Sequence, residues 1–427
     1  MIKIFLTLLI LGSTIMATVI QEIKVNDIVV PIIIEQDKRL PLATVQFVFK
    51  NSGSISDEKK VGLARFCAKV MNEGTLKLGS NAFAEALEAK AIHISATAGK
   101  ETFVVELGSL KGQLDEGLGY FDRLLQDPNL SEDVISKVKT TTIGSISSKV
   151  NDYDYVASNA LKAMLFNDTP MANNDSGTIE SVKSIELSDV KEFLSNHLVG
   201  SNLVVMVGGD VEIEDIKVKI SKIIANIKKG TVGSIKHHEV VVKPSESVIK
   251  KETQQAYIYF GSPYNMRVDF SDNYKARVAS YILGAGGFGS RLMEEIRVKK
   301  GLAYSAYAKT NVSQSSSYMS GYLQTKLESQ EDAKKSVKEV IENFVKNGVT
   351  KDELEQTKKF MLGSEPLRVE TMSQRLSRAF MEFYDGRELG HSLKELELIK
   401  NLKLDDLNSF IKEHTEIQEL SFSIVTK

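Results

Sequence analysis

Apolar residues recur along the chain with two periods, and the segments that show each period follow one another in a fixed order. Alternation with period two predicts half-buried strands, and spacing of three to four predicts amphipathic helices. The first half is predicted to contain a strand, a helix, a strand pair, three helices and a closing strand, at residues 44–49, 60–73, 93–110, 114–125, from 131, 188–194 and 203–208. Hairpin-like strand pairs with helices grouped between them indicate an α+β fold.

The second half repeats this order. Its strand, helix, strand pair, three helices and last strand are predicted at residues 256–260, 273–283, 303–325, 332–347, from 351, 404–412 and 420–425. The segment IELSDVKEF resembles LKLDDLNSF 217 residues later (185 to 402), and NLSEDVISKVK resembles GVTKDELEQTK 219 residues later (129 to 348). We therefore predict two homologous domains, 18–228 and 252–427, each a mostly antiparallel sheet packed with helices, joined by a linker at 229–251.

Residues 1–17 have the pattern of a secretory signal peptide. Lys3 supplies a positive charge, residues 4–11 are continuously apolar, and Ala17 offers a small residue for cleavage. The alternative is an uncleaved anchor in the inner membrane, because no further charge occurs until Glu22. The uncharged stretch is short for a bilayer and a Gly-Ser pair interrupts it. We therefore expect a periplasmic protein with no stable membrane span after cleavage.

Charge and cysteine content narrow the functional classes. The chain has 54 Lys and Arg against 56 Asp and Glu, a net charge of −2, which gives no general electrostatic reason to bind nucleic acid. Cys67 is the only cysteine, so an internal disulfide is impossible. Because Cys67 lies on an apolar helix face, we expect it to be a small buried hydrophobic residue rather than a nucleophile.

The string GLARFCAKVMNEGT, residues 62–75, predicts a helix with one apolar stripe. Arg65 and Lys69 lie four residues apart on another face, with Ala68 beside them. Zinc needs lone-pair donors; Arg has none, and Lys is protonated near neutral pH unless deeply buried. Ala68 cannot move a proton, so this face cannot support a zinc-hydroxide mechanism. Residue types alone indicate an amphipathic helix with a solvated basic face.

This string resembles the zinc-binding segment G-x-A-H-F-x-E-H-x-x-x-x-G-T of the pitrilysin and insulinase metallopeptidases. The framing residues match, namely Gly62, Ala64, Phe66, Gly74 and Thr75. The resemblance places Arg65 at the first His, Ala68 at the Glu, Lys69 at the second His, and Ser145 at the distal Glu ligand. It implies two domains that form half of a clam-shell chamber, and a degenerate zinc site in the first of them.

Residues 282–308 carry a second motif, ILGAGGFGSRLMEEIRVKKGLAYSAYA. Ser290 is placed to cap a helix from Arg291 to about Lys300, and Gly301 is placed to end it. A strand is predicted directly afterwards, at residues 302–309.

This second motif resembles the C-terminal-domain segment of the mitochondrial processing peptidase-like branch of the same family. In that branch an Arg and a Tyr reach the zinc-bearing domain and bind substrate carbonyl oxygens. The resemblance places Arg297 and Tyr304 in these positions, and both side chains are donors that can polarise a carbonyl. On residue types alone, Arg297 would instead pair with Glu294 and Tyr304 would pack in the sheet.

The two motifs together suggest a partner subunit. The resemblance implies a heterodimer in which a homologous partner keeps H-x-x-E-H and the zinc, so no cofactor is expected in this chain. The chain would be inactive alone, would bind peptides or unfolded polypeptides at a sheet edge, and would supply Arg297 and Tyr304 to the partner's zinc site. Two alternatives remain: a non-enzymatic scaffold subunit of a larger complex, and a self-sufficient hydrolase that uses another site.

Overall fold

The computed structural model describes residues 18–241 and 243–427, so the predicted signal peptide lies outside the described residues. The predicted α+β class with two sheets is confirmed. The first sheet contains β1 (Val19–Val25), β2 (Ile28–Gln36), β3 (Leu42–Lys50), β4 (His93–Ala98), β5 (Thr102–Leu110) and β6 (Leu203–Gly209). The second contains β7 (Glu246–Lys250), β8 (Gln255–Pro263), β9 (Ala303–Val312), β10 (Ser317–Lys326) and β11 (Ser421–Thr426).

Most helices of the first half pack on the first sheet, and most helices of the second half pack on the second. The first half contains α1 (Leu63–Met71), α2 (Gly79–Glu88), α3 (Leu114–Gln126), α4 (Glu132–Ser148), α5 (Tyr153–Leu165), α6 (Ile179–Ser184), α7 (Leu187–His197) and α8 (Ile213–Ile224). The second contains α9 (Asn273–Ser280), α10 (Gln330–Asn347), α11 (Lys351–Gly363), α12 (Met372–Tyr384), α13 (His391–Asn401) and α14 (Leu404–Glu413), with π-helices at Tyr281–Ala285 and Met293–Lys299. No described helix is long and apolar enough to cross a membrane.

The two sheets share one strand order. The first runs β1-β2-β6-β3-β5-β4 and the second β7-β11-β8-β10-β9. One neighbouring pair in each sheet is parallel, β2 with β6 and β7 with β11, and the other pairs are antiparallel. Apart from β1, each strand of the first sheet has a counterpart at the same place in the second. The two halves are therefore built on one pattern, as the repeat in the sequence indicates.

Strand β7 falls inside the stretch that the sequence analysis assigns to the linker. Residues 229–241 and 243–245 contain no helix or strand, but β7 pairs in parallel with β11. It occupies the place of β2, so it is the first strand of the second repeat. The linker is consequently shorter than 229–251. Strand β7 lies at the sheet edge and exposes alternate residues. Its composition is therefore partly polar, and the sequence pattern did not predict a strand here.

Each half contributes one helix to the other half's sheet. Helix α5 packs on β8 and β11, and α12 packs on β2 and β6. The two helices begin 219 residues apart, at 153 and 372, so they are equivalent members of the repeat. The contact under α12 is apolar and involves Ile33, Val48, Val204, Met206, Leu376 and Ala379. Because each sheet needs a helix from the other repeat, the halves pack as one body.

Polar contacts also join helix α12 and the second half to the first half. In α12, Arg375 Nε lies 2.5 Å from Glu35 Oε1 and its Nη2 lies 2.7 Å from Asp37 Oδ2, both in the first half. At the turn between β4 and β5, Glu101 accepts hydrogen bonds from Ser315 N at 2.9 Å and from the Tyr384 hydroxyl at 2.8 Å. Burial and the Glu101 carboxylate raise the pKa of Tyr384, so this hydroxyl keeps its proton.

Candidate degenerate metal site and Arg–Tyr motif

Helix α1 is built on a buried stripe and a buried cap. Its apolar residues form the stripe, namely Leu63, Phe66, Cys67, Val70 and Met71. Asp57 Oδ2 accepts from Gly62 N at 2.7 Å, and Asp57 Oδ1 accepts from Ala64 N at 2.8 Å. Gly62 has φ 94°, and a Cβ there would lie 2.7 Å from the Gly177 backbone, so only glycine fits. The framing glycine of the motif therefore has a steric cause.

Burial dominates the titration of the Asp57 cap. It raises the pKa of this carboxyl to about 7, although the N–H groups of Ala64 and Gly62 act in the opposite direction. Burial likewise raises the pKa of Cys67 well above its usual range. The thiol is fully buried, so the predicted packing role of Cys67 is the one that the structure supports.

The face of α1 that corresponds to the zinc site is basic. Arg65 donates to Ser176 Oγ at 3.2 Å and to Ala98 O at 3.3 Å, and its Nη2 lies 3.4 Å from Asp175 Oδ2. Lys69 Nζ donates to Thr142 Oγ1 at 2.9 Å. Ala68 is buried and brings only a methyl group. The two cations are thus held by neighbouring oxygens of the chain itself.

Helix α4, which carries the position assigned to the distal ligand, packs against α1. Ser145, the position assigned to that ligand, is exposed. The α4 residue that contacts Lys69 is Thr142, one turn earlier and buried. Thr142 was not predicted, because nothing in the sequence distinguishes it from the two threonines that precede it.

These residues do not fit a zinc ion. The four positions Arg65, Ala68, Lys69 and Ser145 offer a guanidinium, a methyl, an ammonium and a neutral hydroxyl, whereas zinc binds thiolate, imidazole and carboxylate. Burial and the neighbouring cations Arg65 and Lys149 lower the pKa of Lys69, yet its nearest partner is a hydroxyl that accepts a hydrogen bond from the ammonium group. No three His, Cys, Asp or Glu side chains within 18–241 and 243–427 are grouped to hold a metal.

The edge strand beside α1 is partly closed by α1 itself. Strand β4 is the edge of the first sheet, and its pairing with β5 turns the backbone groups of Ile94, Ala96 and Ala98 away from the sheet. Asn72 donates to Ala96 O at 2.9 Å and accepts from Ala96 N at 2.7 Å. Arg65 occupies Ala98 O. A peptide strand added here would have to displace these side chains.

The second motif forms an exposed stack. The Arg297 guanidinium lies 4.5 Å from the ring centroid of Tyr304 and 4.6 Å from that of Phe288. Tyr304 is 81% exposed and Phe288 72% exposed. Within the described residues no ion pair joins Arg297 to Glu294, and Tyr304 does not pack in the sheet. The structure thus brings Arg297 and Tyr304 together, and it adds Phe288, which the sequence analysis did not select.

The local backbone of this motif differs from the predicted helix. Residues Met293–Lys299 form a π-helix, and Gly301 ends it with φ 62°, as predicted. The predicted Ser290 cap is wrong: Ser290 Oγ is buried and makes no hydrogen bond to the described residues. Gly284 lies against edge strand β9, where a Cβ would come within 2.5 Å of Ala308 N. Both edge strands next to the motifs are therefore partly covered by the chain itself.

Comparison with known proteins identifies relatives over the full length. Residues 32–178 match the family described as Insulinase (Peptidase family M16), and residues 184–361 match the Peptidase M16 inactive domain. The chain is 39% identical over 426 residues to a protein of Helicobacter pylori named "Non-peptidase homolog YmxG", covering 99% of this chain and 98% of that protein.

Two solved structures show the same fold. One is the peptidase M16 inactive domain from Pseudomonas fluorescens, with TM-score 0.87 and 22% identity over 95% of this chain and 97% of that chain. The other is a protease from Helicobacter pylori, with TM-score 0.82 and 16% identity over 96% and 100%. With a full-length relative of this identity and two family matches that together span most of its length, the chain belongs to the insulinase (M16) family of peptidases.

Proposed function

We propose that this chain is the non-catalytic, substrate-binding subunit of a heterodimeric zinc metalloprotease that acts on peptides or unfolded polypeptides. The observation that carries the proposal is the contrast between its two motifs. Helix α1 offers Arg65, Ala68 and Lys69 where a metal and its water would need donors. The second half keeps Arg297 and Tyr304 side by side, with Tyr304 exposed and Arg297 partly buried. The metal and the general base would belong to a homologous partner.

The exposure of the second motif is what a role in a partner's site requires. An exposed Tyr and an exposed Phe leave apolar surface in water, and both flank one guanidinium. Aromatic residues and arginine are the side chains that most often anchor protein interfaces. Arg297 N–H groups and the Tyr304 hydroxyl are also donors suited to peptide carbonyl oxygens. The relative named a non-peptidase homolog agrees with the absence of a catalytic role for this chain alone.

We place the mature protein in the periplasm. Support comes from residues 1–17, whose charge, apolar run and small residue fit a secretory signal. A fusion of residues 1–17 to alkaline phosphatase tests this, because that reporter is active only after export. Activity with the fusion, and none after Leu8→Arg, is the expected result. Equal activity of the two fusions would contradict export by this segment.

The test of the heterodimer is reconstitution. The chain is co-expressed with an H-x-x-E-H homologue from the same genome, and the complex is assayed by size-exclusion chromatography, zinc content and cleavage of unfolded casein. We expect one zinc per heterodimer and activity that neither subunit shows alone. Arg297→Ala and Tyr304→Phe should still form the complex when the partner is in excess, and should lower its kcat about 100-fold, the scale measured for a lost transition-state donor.

Tyr307→Phe is the matched control, because Tyr307 lies on the same strand but packs against the Tyr322 ring within the sheet. It should retain activity. A heterodimer whose activity is unchanged by Arg297→Ala and Tyr304→Phe would support the scaffold alternative. A chain that never forms a complex and never changes the homologue's activity would contradict both.

A further inference from the structure

Five cations surround the position where the family pattern places zinc. We call Arg65, Lys69, Lys100, Lys149 and Lys162 the cationic cluster. They come from α1, from the turn between β4 and β5, from the end of α4 and from α5. Lys149 also lies 4.8 Å over the Tyr155 ring. Because α5 packs on the second sheet, the cluster lies where the two halves meet.

The carboxylates at the cluster do not balance this charge. Asp175 lies 3.4 Å from Arg65 Nη2 and 3.7 Å from Lys162 Nζ, and it also contacts Lys100. Although burial alone would raise it, the pKa of Asp175 is lowered by Lys162 and Lys100, so it is ionised. Within the described residues a second carboxyl, Asp57, also acts on Lys100, and its pKa is about 7. The five cations therefore outnumber Asp175 and Asp57.

Mutual repulsion among the cations reflects this excess. Burial and the neighbouring Lys100 lower the pKa of Lys162 to about 8. Loss of hydration, Arg65 and Lys149 lower the pKa of Lys69. When like charges disfavour the charged form of a group, a bound anion stabilises that charged form. The electrostatics of the cluster therefore favour a negative ligand.

The donors of the cluster also have unused hydrogen-bonding capacity. Lys100 Nζ is buried and contacts Asp175, and it has no other hydrogen-bond partner within the described residues, so some of its three N–H groups are unused. The contacts of Arg65 are long, 3.2 to 3.4 Å, where charge-assisted bonds are usually 2.7 to 2.9 Å. In the part of the chain that the structure describes, the one hydrogen-bond partner of Lys69 Nζ is the neutral hydroxyl of Thr142. Arg65 and Lys69 also reach solvent, which gives a ligand access.

We propose that the cationic cluster is a binding site for the carboxylate of an acidic peptide. A carboxylate fits because Asp175, itself a carboxylate, already engages three members of the cluster. A peptide fits because its carboxylate can draw Arg65 away from Ala98 O, which leaves this carbonyl group of the edge strand β4 free to accept an N–H of the same peptide. The site uses only residues of this chain, so it does not depend on a zinc-bearing partner. It extends the proposed function by giving the degenerate metal site a ligand of opposite charge.

The test compares two peptides that differ only in charge. A fluorescein-labelled peptide with four glutamates alternating with threonine, and its glutamine counterpart, are titrated with the full chain by fluorescence anisotropy. We expect the glutamate peptide to bind at least about tenfold more tightly and to weaken as NaCl is raised from 50 to 500 mM, because exposed charges are screened. Equal affinities for the two peptides would overturn the proposal.

Variants locate the site. Arg65→Gln and Lys69→Gln should each weaken binding about two- to fivefold, the scale of a partly exposed ion pair. Asp175→Asn should tighten binding, because it removes the internal competitor. Lys236→Gln, an exposed lysine elsewhere, is the control and should change nothing. Circular dichroism shows whether each variant is folded, and the exposed positions Arg65 and Lys69 decide the test if Asp175→Asn does not fold.

Two results would overturn the assignment. In the first, Arg65→Gln and Lys69→Gln bind like Lys236→Gln, which would place the peptide elsewhere. In the second, inorganic phosphate binds in an Arg65-dependent manner while the glutamate and glutamine peptides bind equally. That result would make the cluster a site for a small anion rather than for a peptide.

Discussion

The exchange of helices between the halves can be tested at a single ion pair. Arg375 of α12 contacts Glu35 and Asp37 of the first half, and its Nη1 donates to Val369 O and Glu370 O, each at 2.9 Å. The side chain of Glu35 is only 3% exposed. Arg375→Ala therefore leaves a buried carboxylate without its cation, and it does so at the surface where α12 covers the first sheet.

The expected cost follows from this geometry. Removing one partner of a buried ion pair typically costs about 3–5 kcal/mol, because the remaining charge stays in a poorly hydrated place. A domain is usually stable by only about 5–15 kcal/mol, so the loss is a large share of the total. We expect Arg375→Ala to lower the free energy of unfolding by about 3 kcal/mol or more and to loosen α12 from β2 and β6.

Arg378→Ala is a closely matched control. Arg378 lies on the same helix, has the same 21% side-chain exposure as Arg375 and pairs with a carboxylate, Glu365. That carboxylate belongs to the second half, so the pair does not join the halves. Arg378→Ala should cost less and should not release α12 from the first sheet.

Urea unfolding followed by circular dichroism and tyrosine fluorescence measures the two costs; the chain has 13 Tyr and no Trp. Hydrogen exchange of α12 amides shows whether the helix is released. Faster exchange along α12 in Arg375→Ala alone is the expected outcome. Equal unfolding free energies and equal exchange in the two variants would refute the argument that this pair couples the repeats.

Three further predictions concern α1 and the exposed stack. Burial raises the pKa of Asp57 above its unfolded value, so the folded state binds this proton more tightly than the unfolded state does. The resulting contribution to the free energy of unfolding is about 4 kcal/mol; it is fully present below about pH 4 and is lost as pH rises to about 7. This dependence of the unfolding free energy on pH, measured by urea titration, should be absent from Asp57→Asn. Asn72→Ala removes both bonds to Ala96 and should cost about 1–3 kcal/mol and speed exchange of the Ala96 amide; an unchanged rate would contradict this. Phe288→Ala removes one face of the Arg297 stack, so it should leave the melting temperature nearly unchanged but weaken the reconstituted heterodimer about fivefold. Analytical ultracentrifugation measures this affinity. An unchanged affinity would argue against a role for Phe288 in the interface.

The sequence was sufficient for the repeat, because hydrophobic periodicity and two matched segments reflect how each half buries its own sheet. It could not reveal that α5 and α12 exchange sheets, since an amphipathic helix shows that it has an apolar face but not which surface covers that face. Strand β7 was not predicted for a related reason. At a sheet edge its alternate residues stay in water, so its composition resembles a linker.

At the site, the sequence predicted which residues cannot bind a metal but not what they do instead. The loss of donors at Arg65, Ala68 and Lys69 follows from side-chain chemistry alone. Their partners do not, because Thr142 and Asp175 are brought to α1 by tertiary packing from distant segments. Phe288 was overlooked for lack of a pattern, since one aromatic residue in a glycine-rich run gives no periodic signal.

The family pattern predicts a simple repair, in which His at positions 65 and 69 and Glu at 68 would restore a metal site. The structure argues against it. Lys100 and Lys162 would remain at Asp175 and would oppose a dication, and α4 presents Thr142 and an exposed Ser145 rather than a carboxylate. Asn72 would still close the strand edge. The features that oppose a metal are therefore distributed over several elements, and the triple substitution should not bind zinc stoichiometrically.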